Sequence, residues 1–210
     1  MRPRSAGMVS GPQIKATRED WIAAALDVLV EHGVEAVKIL PLAERLGVAR
    51  SSFYWYFTNR GQLLEVLLEH WQDTNTRTVV EHASRPTPDI TEAVLAVFEA
   101  WTDVSLFDAR LDFAVREWAR RSGEIEQAVR SADDARLQAI TSMFERHGFE
   151  RRDAFVRARV LYFSQIGYYA LDLGESMQTR LSYAGDYVAA YTGSMPDEAA
   201  VAEYVERRAP

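Results

Sequence analysis

The sequence predicts an all-α protein in two parts: an N-terminal three-helix unit containing a helix-turn-helix, then a larger helical bundle. Three observations carry this expectation. Apolar residues recur at helical spacing from residue 17 onward, with no convincing alternating strand and no internal repeat. Gly, Pro and Asn fall where these runs begin and end. Two short runs with a three-residue turn between them occupy 38–57. The boundaries read as a flexible basic arm at 1–14, a head at 15–70 with its helix-turn-helix at 38–57, and a helical bundle at 71–205. At 210 residues the chain is long enough to bury a core in each of two compact parts.

The first helix opens behind Thr17, a side-chain cap with Glu19 and Asp20 in the next turn, and carries Trp21, Ala25, Val28 and Leu29 on one face. It stops at His32-Gly33. Pro41 suits the first turn of a short second helix, Leu42 to Leu46, which Gly47 ends. After Val48-Ala49-Arg50 comes SSFYWYF, too short to be a stable helix alone and too aromatic for a loop, so it should be a helix held by packing on the first two. Asn59 caps the fourth helix, with Gln62 three residues later as in a capping box, and Leu63, Leu64, Val66, Leu67, Leu68 and Trp71 run along it.

The stretch Arg85-Pro86-Thr87-Pro88-Asp89 is the clearest break, because two prolines this close end one helix and seed another. Beyond it lie one stripe of Ile90, Val94, Val97 and Trp101 and a second of Phe107, Leu111, Ala114, Val115 and Trp118. A helix from about Gly123 carries Ile125, Val129, Ala132, Ile140 and Phe144, and His147-Gly148-Phe149 reads as its stop.

The next helix, Asp153 to Leu173, is apolar on two sides: Val156, Val160, Phe163, Gly167 and Ala170 form one seam, and Phe155, Tyr162, Ile166, Tyr169 and Leu173 another. Such a helix must be covered twice. The final helix, Leu181 to Tyr191, sets Leu181, Ala184, Val188 and Tyr191 opposite Tyr183 and Tyr187. Either both are central core helices of one subunit, or two from each of two subunits make a four-helix interface through the first seam and the Leu181 stripe. The pattern leaves open which face of the 153–173 helix meets a partner.

Composition removes several classes of function. There is no cysteine, which excludes disulfides, thiolate nucleophiles and Cys-ligated metal centres. No apolar run approaches the ~20 residues that cross a bilayer, so a cytoplasmic protein without membrane contact is expected. A helical-bundle metal-carboxylate enzyme is the main alternative, but none of His32, His70, His82 and His147 has a Glu three residues before it. Phosphate-loop, nucleophile-elbow and His-Glu-x-x-His patterns are missing too, so no catalytic or metal-binding residue and no cofactor is expected. The net charge is −7, yet residues 1–64 hold eight Lys/Arg against six Asp/Glu, leaving −9 on the rest. That asymmetry turns the head, not the body, toward a polyanion.

The second helix of the motif would present Arg50, Ser51, Ser52, Tyr54 and Tyr56 outward, with Phe53 and Phe57 inward. A recognition helix needs hydrogen-bonding groups of this kind at its N-terminal end, facing base edges and phosphates. The segment LAERLGVARSSFYWYFTNRGQLLEVL resembles the signature of the tetracycline-repressor (TetR) family, with Ala43, Leu46, Gly47, Val48, Tyr54, Phe57, Arg60 and Leu63 in the matching places. The resemblance covers roughly 17–70.

That resemblance implies a DNA-binding transcriptional regulator, a repressor that grips double-stranded palindromic operator DNA as a homodimer and is released by a small-molecule inducer. Arg50, Ser51 and Ser52 would face the major groove, Tyr54 and Tyr56 reach phosphates, and Arg60 close on the backbone, with Lys15 and Arg18 on flanking phosphates. Trp55 is either a wedge against the backbone or packing for the fourth helix. Two departures stand out: Leu40-Pro41 replaces the hydroxyl common at the second helix's start, and Arg60 replaces the usual Lys. Inducer contacts are expected from Trp101, Phe107, Phe113, Trp118, Phe144 and Tyr168, with Arg116, Glu117 or Gln165 as polar anchors. A dimeric DNA-binding protein without an inducer is the alternative within the same fold.

Overall fold

The structure, a computed structural model, describes residues 15–208; the expected arm at 1–14 lies outside the described residues. Among these residues every regular element is helical. They fall into two compact units, one ending at Leu68 and the other beginning at Glu69.

In the first unit α1 (Arg18–His32) starts with a reciprocal cap. The Asp20 N–H donates to Thr17 Oγ1 at 3.2 Å, and the Thr17 N–H donates to Asp20 Oδ2 at 2.7 Å. Helix α2 (Ile39–Leu46) begins three residues earlier than Pro41 alone suggests, with the proline still inside the first turn, where its missing N–H costs nothing. Gly47 ends α2 in the left-handed region (φ +66°), and the Val48 N–H donates back to the Ala43 carbonyl at 3.0 Å. The next element, Arg50–Trp55, is a 3₁₀ helix rather than an α-helix. Trp21, Phe53, Leu42, Leu29, Leu63 and Leu67 are fully buried, with Phe53 edge-on to Trp21 at 5.2 Å and stacked on Phe57 at 5.1 Å. Helix α3 (Arg60–Trp71) is capped by Asn59, whose Oδ1 accepts from the Gln62 N–H at 3.0 Å. The Gln62 side chain reaches back one residue further than a capping box requires, accepting from the Thr58 N–H at 2.7 Å.

The second unit opens with a π-helical turn, Gln72–Thr76, whose buried Asn75 donates to the Asp108 carbonyl at 2.8 Å. There follow α4 (Arg77–Ser84), α5 (Ile90–Thr102), α6 (Ala109–Ala119), α7 (Gly123–Arg146) and α8 (Arg151–Leu171). Asp89 and Asp108 cap α5 and α6. Helix α7 packs against α8, α4 and α6, so Ile140, Met143 and Phe144 sit at the centre of the apolar core. The expected Leu181–Tyr191 helix is broken at Tyr183 into α9 (Met177–Ser182) and α10 (Ala184–Thr192). A further helix, α11 (Glu198–Arg208), packs on α5: the Tyr204 and Thr102 hydroxyls meet at 3.1 Å, and Arg208 pairs with Glu99 and Asp103.

A buried polar cluster ties α6, α7 and α8 together. Asp112 Oδ1 accepts from Trp71 Nε1 at 2.8 Å and from Arg136 at 2.9 Å, and Oδ2 accepts from Arg116 Nε at 2.8 Å. Arg136, also fully buried, donates to the Tyr162 hydroxyl and to Thr76, and Arg116 forks onto Asp133. Burial alone lifts the Asp112 carboxyl, but the Arg136 and Arg116 charges outweigh it and hold the group below its ordinary 3.8. Burial first, then the Asp133 carboxylate, pushes Tyr162 up to about 12 despite the two guanidiniums.

Candidate functional site

The helix-turn-helix surface is smaller than the sequence suggests. Arg50, Ser51, Tyr54 and Trp55 are exposed, and Arg50 lies against the Tyr54 hydroxyl at 3.2 Å. The three-residue repeat of a 3₁₀ helix lines Ser51 up with Tyr54 on one side. Trp55 is 68% exposed, which removes the reading that it packs beneath the fourth helix. Lys15, Arg18 and Lys38 are also exposed, with Arg18 set over the Phe57 ring at 5.4 Å.

Three expected contact residues are engaged inside the head. Ser52 is buried, and its hydroxyl donates to the Ala49 carbonyl at 2.8 Å, so it is a turn-closing residue rather than an outward donor. Tyr56 is half-buried and donates to the Ala16 carbonyl at 3.1 Å. Arg60 donates from Nε to the Val37 carbonyl and from Nη2 to the Val34 carbonyl, both at 2.6 Å. Its guanidinium thereby fastens the short 3₁₀ turn at Val34–Ala36 to the start of α3. The sequence pattern counts these donors correctly but cannot see that nearby carbonyls take them first.

On α8 the first seam is uncovered: Val156, Val160 and Phe163 are each about half exposed (49%, 50% and 47%), Ala170 is exposed and Gly167 half-buried. Arg159 lies over the Phe163 ring at 4.7 Å on the same surface. The α9–α10 stripe is the reverse of the expectation. Leu181, Ala184, Val188 and Tyr191 are buried within their own unit, and Tyr183 and Tyr187 face outward instead. The four buried residues are spent on the subunit's core, against α5 and α8.

The second unit also holds a cavity of about 300 Å³, lined by α5, α8 and the segments that follow α8. Its walls are largely aromatic, with Phe98, Tyr168, Tyr187, Tyr191 and Tyr204, and its polar lining is Thr102, Ser164, Gln165, Glu175 and Arg180. Burial raises the Tyr168, Tyr191 and Tyr204 phenols, so they stay protonated and able to donate at neutral pH. Of the nine expected inducer contacts, Gln165 and Tyr168 line this cavity. Trp101, Phe107 and Phe144 are core residues instead, and Arg116 is held by Asp112 and Asp133. Phe113 and Trp118 are half-buried away from the cavity, and Glu117 is exposed beside Arg120. One signal in the sequence pointed here: Arg180 is the single basic residue between Arg159 and Arg207. Among the described residues no three His, Asp or Glu side chains are placed to hold a metal ion, and no helix is long and apolar enough to cross a membrane.

A helix-turn-helix head with a donor-rich second element is joined in sequence to a separately packed helical unit with its own cavity. Comparison with known proteins bears on the head first. Residues 22–67 match the family described as bacterial regulatory proteins, tetR family, the stretch that holds the helix-turn-helix. The chain is 50% identical over 48 residues to the tetracycline repressor protein class A of Escherichia coli, covering 23% of this chain and 22% of that one. It is 32% identical over 63 residues to the transcriptional regulator TtgR of Pseudomonas putida, 30% of each chain. These matches thus span less than a third of the relatives' lengths. The likeness in fold reaches further: the solved structure of SCO7518 from Streptomyces coelicolor A3(2) superposes with a TM-score of 0.57 at 20% identity, over 84% of this chain and 98% of that one.

Proposed function

We propose that this chain is a ligand-responsive DNA-binding transcriptional regulator, a cytoplasmic repressor that binds a palindromic operator as a homodimer and acts by binding rather than by catalysis. The observation that carries the reading is the outward array of Arg50, Ser51, Tyr54 and Trp55 at the second element of a TetR-family helix-turn-helix. Arg50 has the bidentate donors that read a guanine edge, and Tyr54 the hydroxyl that meets a phosphate. Lys15, Arg18 and Lys38 add positive charge around that array.

The exposed apolar line Val156, Val160 and Phe163, with Tyr183, supports dimerisation, since three large half-exposed apolar residues in one row on a monomer are a cost unless a partner covers them. Two heads then meet half-sites about 34–36 Å apart, or a multiple of that. A ligand in the second unit releases DNA to the extent that it binds the non-operator conformer more tightly. The test is selection of bound sequences from a random DNA pool by the full chain, followed by a salt titration on the winner. An enriched inverted repeat whose affinity falls steeply with salt is expected. Absence of enrichment at low salt refutes the reading.

A further inference from the structure

The cavity in the second unit has a surplus of hydrogen-bond donors. Its Thr102 hydroxyl donates to the Phe98 carbonyl and accepts from the Tyr204 hydroxyl, and the Tyr168 hydroxyl donates to Glu175 at 3.0 Å. Two donors remain. The Gln165 side-chain nitrogen is shut away from solvent with no hydrogen bond of ordinary geometry, and the half-buried Arg180 makes no ion pair among the described residues; both lie near the Tyr169 hydroxyl. Arg180 instead lies over the Tyr168 ring, 4.5 Å from its centroid. A guanidinium stacked by its face on a ring keeps its N–H edge directed sideways, the geometry that grips a carboxylate with two parallel bonds.

The rest of the lining fixes the body of the ligand. Tyr187 and Tyr191 stack nearly parallel at 6.0 Å, Phe98 stands edge-on to Tyr191 at 6.1 Å, and Leu171 and Leu181 add apolar wall. Ring faces of this kind favour a flat apolar guest. The volume of about 300 Å³ lies at the low end of the ~300–1,000 Å³ range of ligand pockets, which suits a guest of two small rings. We propose that the cavity takes an aryl monocarboxylic acid, its rings among Tyr168, Tyr187 and Tyr191 and its carboxylate on the Arg180 edge. This assignment deepens, and rests on, the reading of the second unit as the effector-sensing part. Glu175 faces the same cavity with a negative charge already holding the Tyr168 hydroxyl, so it selects against dianions and sets the opposite preference that the test must exclude.

The test is calorimetric titration of the full chain with biphenyl-4-carboxylate, its carboxamide and the corresponding benzylamine. The acid is expected to bind at least tenfold more tightly than the amide, and the amine not at all. Arg180→Gln should abolish the acid's advantage, Arg180→Lys should restore part of it, and Glu175→Gln, at an exposed position, should tighten acid binding. Failure of the acid to bind, equal or tighter binding of the amine, or an acid preference that survives Arg180→Gln overturns the assignment. Weakened acid binding in Glu175→Gln overturns it independently of any folding defect at Arg180. Operator binding is followed in parallel. An operator that is bound with no acid recognised refutes the ligand class alone, whereas acid binding with no operator found refutes the regulator reading and leaves the ligand class standing.

Discussion

Replacing Asp112 by Asn tests what holds the second unit together. One carboxylate oxygen accepts from both Trp71 and Arg136 and the other from Arg116, and the side chain has no exposure to water. Asn offers one acceptor and one NH₂, so whichever way it sits, an N–H points at a guanidinium. The one carboxylate left to Arg136 is then Asp133, 4.0 Å away and already gripped by Arg116, beside the neutral Tyr162 and Thr76 hydroxyls. Removing one member of a buried ion pair costs about 3–5 kcal/mol, because the surviving charge stays desolvated. At roughly 2–4 °C per kcal/mol for a unit of this size, the melting temperature should fall by about 10 °C. The assay is urea unfolding of the full chain monitored by far-ultraviolet circular dichroism, with a thermal melt beside it. The acid limb supplies a second readout. A carboxyl whose folded pKa lies below the ordinary 3.8 contributes stability above that value and loses it as pH falls through the depressed pKa. Wild-type protein should therefore lose stability more steeply than Asp112→Asn below about pH 4. A loss under about 1 kcal/mol, or identical acid limbs, would refute the view that this cluster anchors the bundle.

Three further outcomes are expected. Arg50→Ala should weaken operator binding by about 1–3 kcal/mol and relax preference at particular base pairs, while Tyr54→Phe weakens binding nearly equally on all sequences, as read by competition against a mismatched-site series. Phe163→Glu should turn the proposed dimer into a monomer by sedimentation equilibrium with little change in monomer fold, since that side chain is already half exposed, and a persisting dimer would move the interface elsewhere. Gly47→Ala should cost about 1–2 kcal/mol of stability, because its φ of +66° is penalised by any Cβ although no neighbouring atom would touch one. An unchanged urea midpoint would mean that the turn relaxes to another conformation.

What the sequence made legible follows the range of the forces involved. Thr17 with Asp20, Gly47, Asn59 and the Pro86–Pro88 break act over four or five residues, so their types and spacings declare the helix ends. The Phe53 and Phe57 positions also declare themselves, because they are the only apolar pair that can hold so short an element on the head's core. Side-chain destinations across long sequence gaps do not. Arg60 bonds to carbonyls 23 and 26 residues away, Tyr56 to one 40 away, and Arg136 to Thr76, 60 away. Arg60 and Tyr56 both read in sequence as available for DNA. The 3₁₀ form of Arg50–Trp55 carries a similar lesson: the slightly tighter coil is what turns Ser52 under the element and leaves Ser51 outside.

Helix α8 shows why its faces resisted assignment. One side enters the core and polar cluster through Ala154, Ala158, Leu161 and Tyr162, a second carries Val156, Val160 and Phe163 to the surface, and a third lines the cavity with Ser164, Gln165 and Tyr168. A helix with one buried face shows one apolar stripe, but three separate demands spread apolar residues around the circumference and blur the period. The cavity face is confined to the C-terminal half, beginning within one turn of Tyr162. A ligand seated there touches the same rigid element that carries the Tyr162 hydroxyl to Arg136 and Asp133 and the Val160–Phe163 line to the outside. The blurred pattern is thus what one helix that meets the core, the surface and the cavity must have. The two small residues in its C-terminal half, Gly167 and Ala170, are the positions where bulk would crowd the cavity and the exposed face respectively.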